Sequence, residues 1–162
     1  MTSGTKWLST AEQADWRAFL AGVASFSEAI ERQLQDEAGM PHGYYEVLVQ
    51  LSEAPDRRLR MSELADRLTS SRSRLSHAVA RLEEKGWVRR EPCPADRRGQ
   101  LAVLTDEGFA ALEEAAPGHV AAVRRHLVDA LGPEDFATLG RLSRKLLAAQ
   151  QVPGGSALPA RG

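Results

Sequence analysis

Ser70 to Thr105 reads SSRSRLSHAVARLEEKGWVRREPCPADRRGQLAVLT, and the order of side chains in this stretch decides the fold. From about Arg72 to Glu84 the apolar residues Leu75, Val79 and Leu82 recur at the spacing of one helix face. Ser70, Ser71, Arg72, Ser73 and Arg74 give that helix a polar, cationic leading edge. Lys85 and Gly86 stop it, a cation in the last turn and a glycine just past it. Trp87 to Glu91 and Leu101 to Leu104 then have the composition of two strands. Between them Pro92 to Gly99 is too polar and proline-rich for a core, and it predicts a projecting loop tipped by Asp96, Arg97 and Arg98. A helix with a cationic leading edge followed by a basic hairpin predicts a winged helix-turn-helix. In that fold the helix enters the DNA major groove and the hairpin tip lies in or near the minor groove.

Working outward, Ser62 is placed to cap a helix from Glu63 to Leu68, and Thr69-Ser70-Ser71 is the turn between the two helices. Leu59-Arg60-Met61 predicts a short extended piece, and Ala54-Pro55-Asp56 a stop. Before it, a helix from Gly43 to Glu53 would turn Tyr44, Val47, Leu48 and Leu51 inward. A long first helix, capped by Ser9 or Thr10, carries a stripe of Trp16, Phe19, Leu20, Val23, Phe26, Ile30 and Leu34 and ends at Gly39-Met40-Pro41. Downstream, Thr105 is placed to cap a fifth helix bearing Phe109, Leu112, Val120, Val123, Leu127 and Leu131, which Pro117-Gly118 should kink or interrupt. Gly132-Pro133 breaks the chain, and a sixth helix carries Phe136, Leu139, Leu142, Leu146 and Leu147. The expected fold is mainly α with a small β-hairpin wing. It is expected as one domain over residues 1–150, with a DNA-binding lobe at about 44–105 and dimerisation helices at about 10–38 and 106–150. Residues 151–162 are Gly/Pro-rich and expected to be a disordered tail.

The formal net charge of −1 conceals a split. Arg57 to Arg98 holds 12 Lys+Arg against 6 Asp+Glu, a balance of +6, and the remainder carries −7. A basic centre within an acidic periphery is the footprint of a polyanion binder. The single cysteine, Cys93, excludes an intramolecular disulfide. No apolar run approaches the length of a membrane span, and the first residues lack an apolar signal core, so a cytoplasmic protein without a membrane partner is expected. There is no phosphate loop, nucleophile motif or metal-ligand spacing, since His42, His77, His119 and His126 are scattered. No enzyme activity, metal or other cofactor is therefore expected.

Each site residue has a chemical reason. Arg74 carries the planar fork that binds guanine O6 and N7 together. The hydroxyls of Ser70, Ser71, Ser73 and Ser76 suit bases or phosphates, and the helix N-terminus with Arg72 suits a phosphate. His77 either donates to DNA or is a surface residue. Arg81, Arg89 and Arg90 are phosphate contacts or scaffold ion pairs. Arg97 and Arg98 suit the negative potential of a narrow minor groove, with Asp96 holding an arginine in place. One such helix reads few base pairs, so a two-fold dimer binding double-stranded DNA is expected.

The motifs MSELADRL, the SxSxLS start of the recognition helix, RLEEKGWVRR, the DxR of Asp96 and Arg98, and LTDEG resemble the MarR (multiple antibiotic resistance regulator) family of bacterial transcription factors. The order of elements matches from about residue 12 to 149. The resemblance implies an obligate homodimer, joined through its N- and C-terminal helices, on a pseudo-palindromic operator. It implies Arg98 as the minor-groove arginine and Asp96 as its brace. His77 departs from the arginine that family members often carry. The resemblance also implies a repressor released by a small, often aromatic effector. Trp16, Phe19, Leu20, His42, Tyr44 and Tyr45 are the candidate lining, and they are equally ordinary core aromatics. Cys93, between two prolines and near Arg89 and Arg90, is the redox candidate. The family's peroxide sensors, however, carry their cysteine in the first helix, where this chain has none. The competing readings are a redox-responsive regulator acting through Cys93 and a helical interaction protein without DNA affinity.

Overall fold

Ser9 opens the first helix by accepting the Glu12 N–H at 3.2 Å while the Glu12 carboxylate takes the Ser9 N–H at 2.7 Å, a reciprocal capping box. The computed structural model describes residues 4–94 and 96–150, and the side chains of Arg97 and Arg98 lie outside the described set. The expectation for residues 151–162 falls outside it too. Helix α1 spans Thr10–Ala38 and closes on Gly39 at φ 60, a left-handed cap that glycine adopts without a Cβ penalty. Helix α2 follows at His42–Ser52, then a 3-10 turn at Pro55–Arg57 and the short strand β1 at Arg58–Arg60. Helices α3, Met61–Arg67, and α4, Arg72–Glu84, precede the hairpin of β2, Val88–Cys93, and β3, Asp96–Leu104. Helix α5 is Asp106–Val123.

The three strands form one antiparallel sheet in the order β1-β3-β2, with Leu59 opposite Ala102 and Arg90 opposite Ala102 from the other side. Beneath it lies the core of Leu48, Leu51, Leu64, Leu75, Val79, Leu82, Val88 and Ala102. This is a winged helix-turn-helix, as the central stretch predicts.

Several boundaries differ from expectation, each for a tertiary reason. The hairpin is longer: Pro92 to Gly99 is not a free loop, because pairing runs out to Cys93 opposite Asp96. Pro92 is tolerated because β2 is the edge strand, where its missing N–H leaves no ladder bond unmade. Ser62 is not the cap of α3; the helix starts two residues earlier, at Met61 after Arg60, where β1 ends, without a side-chain cap. In α2 it is Tyr45 that is buried, while Tyr44 is half-exposed. Helix α5 runs unbroken through Pro117. The adjacent Gly118 faces the side-chain ends of Gln33 and Glu37 of α1, which would have to shift to admit a Cβ.

The chain forms two compact units, Met1–Ala122 and Val123–Gly162. In the second, a π-helical turn at Arg124–Val128 leads into α6, Asp129–Gln150. The break expected at Gly132 is present as a non-helical residue at φ 76, ψ 168. Phe136, Leu142, Leu146 and Leu147 of α6 are exposed. Among the described residues no helix is long and apolar enough to cross a membrane.

Candidate nucleic-acid interface

Helix α4 begins where Ser71 Oγ accepts the Arg74 N–H at 3.2 Å, so the residue expected at the DNA face also caps the helix that presents it. Leu75, Val79 and Leu82 are buried, and this fixes the rotation of α4. Arg72, Ser73, Arg74, Ser76, His77 and Arg81 are all exposed as a result. The turn ahead of α4 is tight. Thr69 sits at φ 49, a left-handed conformation rare for a β-branched residue. Half-buried Ser70 donates its N–H to the Ala65 carbonyl at 3.0 Å and ends α3.

The basic residues sort by partner. Arg81 pairs with Glu84 of its own helix at 2.7 Å. Arg89 lies on the outer face of β2 and pairs with Glu91 at 2.8 Å, and Arg58 reaches the same carboxylate at 3.6 Å. Of the three residues expected as phosphate contacts or scaffold ion pairs, Arg81 and Arg89 are ion-paired and exposed, a weak arrangement that a phosphate can displace. At the wing tip the Asp96 carboxylate folds over Gly99: a Cβ at position 99 would stand 3.1 Å from Asp96 Oδ2 and 3.2 Å from Cys93 Cβ. Cys93 itself is only 6% exposed, inside the sheet rather than on a projecting loop. A redox-reactive cysteine needs an accessible thiolate, and this burial does not supply it.

Between the start of α3, the leading half of α4 and the wing lies an open cleft of about 710 Å³. Its lining includes Arg60, Arg72 and Arg90, the acids Glu91 and Asp96, and Ser62, Ser76 and Gln100. Sequence reasoning did not single out Arg60 as a site residue. Its signal is the short strand β1, whose pairing sets Arg60 opposite Leu101 of β3.

The six candidate effector residues are not gathered into one place. Trp16 and Phe19 are exposed on α1, their rings 6.1 Å apart, and Leu20 is exposed beside them. The second group sits lower, where the Glu31 carboxylate accepts the His42 N–H at 2.9 Å. Glu31 lies about 16 to 22 Å along the helix axis from Leu20 and Trp16. The structure joins His42 and Tyr45 instead to His119 of α5, with ring centroids 5.8 and 4.3 Å apart. Burial, followed by the neighbouring His42 charge, holds the His119 imidazole below the usual histidine range, and its Nδ1 is buried without a hydrogen-bond partner. Burial also pushes the Tyr45 phenol up. Among the described residues no group of three or more His, Cys, Asp or Glu could hold a metal ion.

A family model described as MarR family matches residues 38–99. Sco3205, a MarR family transcriptional regulator from Streptomyces coelicolor solved in complex with DNA, is 51% identical, with a TM-score of 0.89 over 96% of this chain and 98% of that one. AbsC, a MarR family transcriptional regulator from the same organism, is 42% identical, with a TM-score of 0.84 over 91% of this chain and 99% of that one. The HTH-type transcriptional regulator PecS of Dickeya dadantii is 34% identical over 90 residues, 53% of this chain and 54% of that protein. The chain spans about half the length of the curated relatives it matches. These relatives are transcriptional regulators rather than enzymes.

Proposed function

We propose that this chain, which belongs to the MarR family of transcriptional regulators, binds double-stranded DNA as a homodimer, with α4 in the major groove and the hairpin tip at the minor groove. The observation that carries the reading is the exposed polar and cationic face of α4, Ser73, Arg74 and His77, held rigidly by three buried residues beside an arginine-bearing hairpin. The DNA complex of the 51% identical Sco3205 supports it. Arg74 reads a base edge. Ser70, Ser71, Arg72, Ser76, Arg81 and Arg89 are assigned to phosphates or bases, and Arg97 and Arg98 to the minor groove, with Asp96 as brace.

Two exposed apolar surfaces support self-association. One is Trp16, Phe19, Leu20 and Val23 on α1, and the other is Phe136, Leu142, Leu146 and Leu147 on α6. Repression, and release by a small aromatic effector, belong to the same proposal and rest on the family alone.

Binding to a random-sequence duplex at rising salt tests the central claim. Affinity should fall steeply and log-linearly with salt, and no binding at low salt would overturn it. Sedimentation of the free protein at nanomolar concentration tests the dimer, and a monomer that binds its duplex with full affinity would defeat it. A footprint on the DNA upstream of its own coding sequence, repeated with small aromatic acids and phenols, tests repression and release. A footprint unmoved by every compound removes the effector from the proposal.

A further inference from the structure

Arg90 differs from the basic residues around it in what it touches. Its backbone N–H, on the edge strand β2, donates to Glu83 Oε1 of α4 at 3.0 Å. Its guanidinium Nη2 donates to the Ser76 carbonyl at 2.8 Å and lies 3.4 Å from Ser76 Oγ. Its Nε is buried without a hydrogen bond and stands 3.5 Å from Glu83 Oε2, a charge contact. Only 25% of the side chain is exposed. One strand residue thus grips α4 at two points two turns apart, about 10 Å along the helix axis. Arg81 and Arg89 are instead paired within their own elements.

We infer that Arg90 is a positioning residue that fixes the wing against the recognition helix, so that the wing tip meets DNA in register with α4; the inference rests on the DNA-binding reading above. A single contact would fix a distance. Two contacts on one helix also fix an angle, and the angle matters because the hairpin tip lies about 13 Å beyond Arg90 at the rise of a strand. A rotation of about 5° at the clamp moves a tip that far away by about 1 Å, enough to lose hydrogen-bond geometry. With Nη2 committed to Ser76 and Nε buried against Glu83, Arg90 acts through the wing rather than on a phosphate.

Equilibrium binding to the footprinted duplex tests this with three variants. Arg90→Lys keeps the charge and the backbone N–H on Glu83 but lacks the guanidinium that reaches Ser76 while lying against Glu83. A positioning role predicts about a tenfold loss for it, whereas a plain phosphate contact predicts near wild-type binding. Glu83→Ala removes a negative charge from a DNA-facing helix, so electrostatics alone would tighten binding, while the clamp predicts weakening. Arg90→Ala combined with Arg97→Ala and Arg98→Ala should be no worse than the wing-tip pair alone, and additive losses would overturn the inference. Hydrogen exchange of free Arg90→Lys supplies a readout without DNA: faster exchange in 88–104 with α4 unchanged is expected, and unchanged wing exchange defeats the clamp. If the wild type binds no duplex at low salt, the DNA-binding reading falls, and exchange alone decides whether the strut exists.

Discussion

Helices α1 and α4 are both amphipathic, and they finish in opposite states. Helix α4 buries Leu75, Val79 and Leu82 within its own chain and presents serine, arginine and histidine outward. Helix α1 buries only Ile30 and Leu34, near its end, and leaves Trp16, Phe19 and Val23 about half exposed, at 51%, 48% and 49%. The apolar face of α4 is satisfied, and what remains on its surface is chemistry for a polar partner. The upper half of α1 is unsatisfied, and what remains there is surface for an apolar one. Side chains that the chain covers itself can therefore be told apart from those it leaves open.

The most severe way to break this contrast is Leu82→Ala, which opens a cavity under the recognition helix. It should cost about 3 to 4 kcal/mol of unfolding free energy, measured by denaturant titration at fixed protein concentration. A loss under about 1 kcal/mol would mean that α4 is not anchored as described. Phe19→Glu should do the reverse, weakening self-association by about a hundredfold because each change counts twice across a two-fold axis. The secondary structure of the protomer should be kept. Sedimentation and circular dichroism separate the two effects, and an unaffected dimer would take that face of α1 out of the interface. Arg74→Ala should leave folding and association alone and lower affinity for the footprinted site about tenfold or more, with little change on random DNA. Equal losses on both would demote Arg74 to a phosphate contact.

Some helix boundaries were legible in the sequence because caps are local, but the cap expected at Ser62 for α3 was not. Ser9 with Glu12, Gly39, and Ser71 with Arg74 each lie within five residues of the partner they satisfy. The wing was less legible. Pro92 and Pro94 and the charges after them argue for a loop, and only the pairing of Cys93 with Asp96 turns the segment into strand. The polar face of α4 followed from periodicity. The role of Arg90 did not, because its partners lie 7 and 14 residues away on another element. The aromatic candidates failed to converge for a similar reason: helical spacing gives a face, not which neighbour meets it. His119 was passed over because its meaning depends on the fold bringing α5 against the start of α2.

A smaller effect sharpens the contrast at that junction. The folded state holds His119 below the usual histidine value of about 6.5, so on acidification the unfolded chain takes up the proton first. Stability is therefore lost as pH falls below about 6.5, and His119→Leu should flatten the thermal-melting profile there. An identical profile in both proteins would remove His119 as the cause. The smallest effect belongs to Thr69. Replacing a β-branched residue in the left-handed region by glycine should raise stability by up to about 1 kcal/mol without altering DNA affinity. A lower melting temperature would mean that the Thr69 side chain matters more than its strain.

The joint at Thr105 carries a mechanical consequence. The Thr105 hydroxyl donates to the Gly86 carbonyl at 2.7 Å and accepts the Gly108 N–H at 3.0 Å, while the Thr105 N–H donates to the Trp87 carbonyl at 3.1 Å. Gly108 lies so near the Trp87 backbone that any side chain there would collide with it. These bonds rivet the first turn of α5 to the segment that ends the recognition helix, leaving no slack residue between them. A displacement of the first turn of α5 would therefore carry the segment that ends α4 with it.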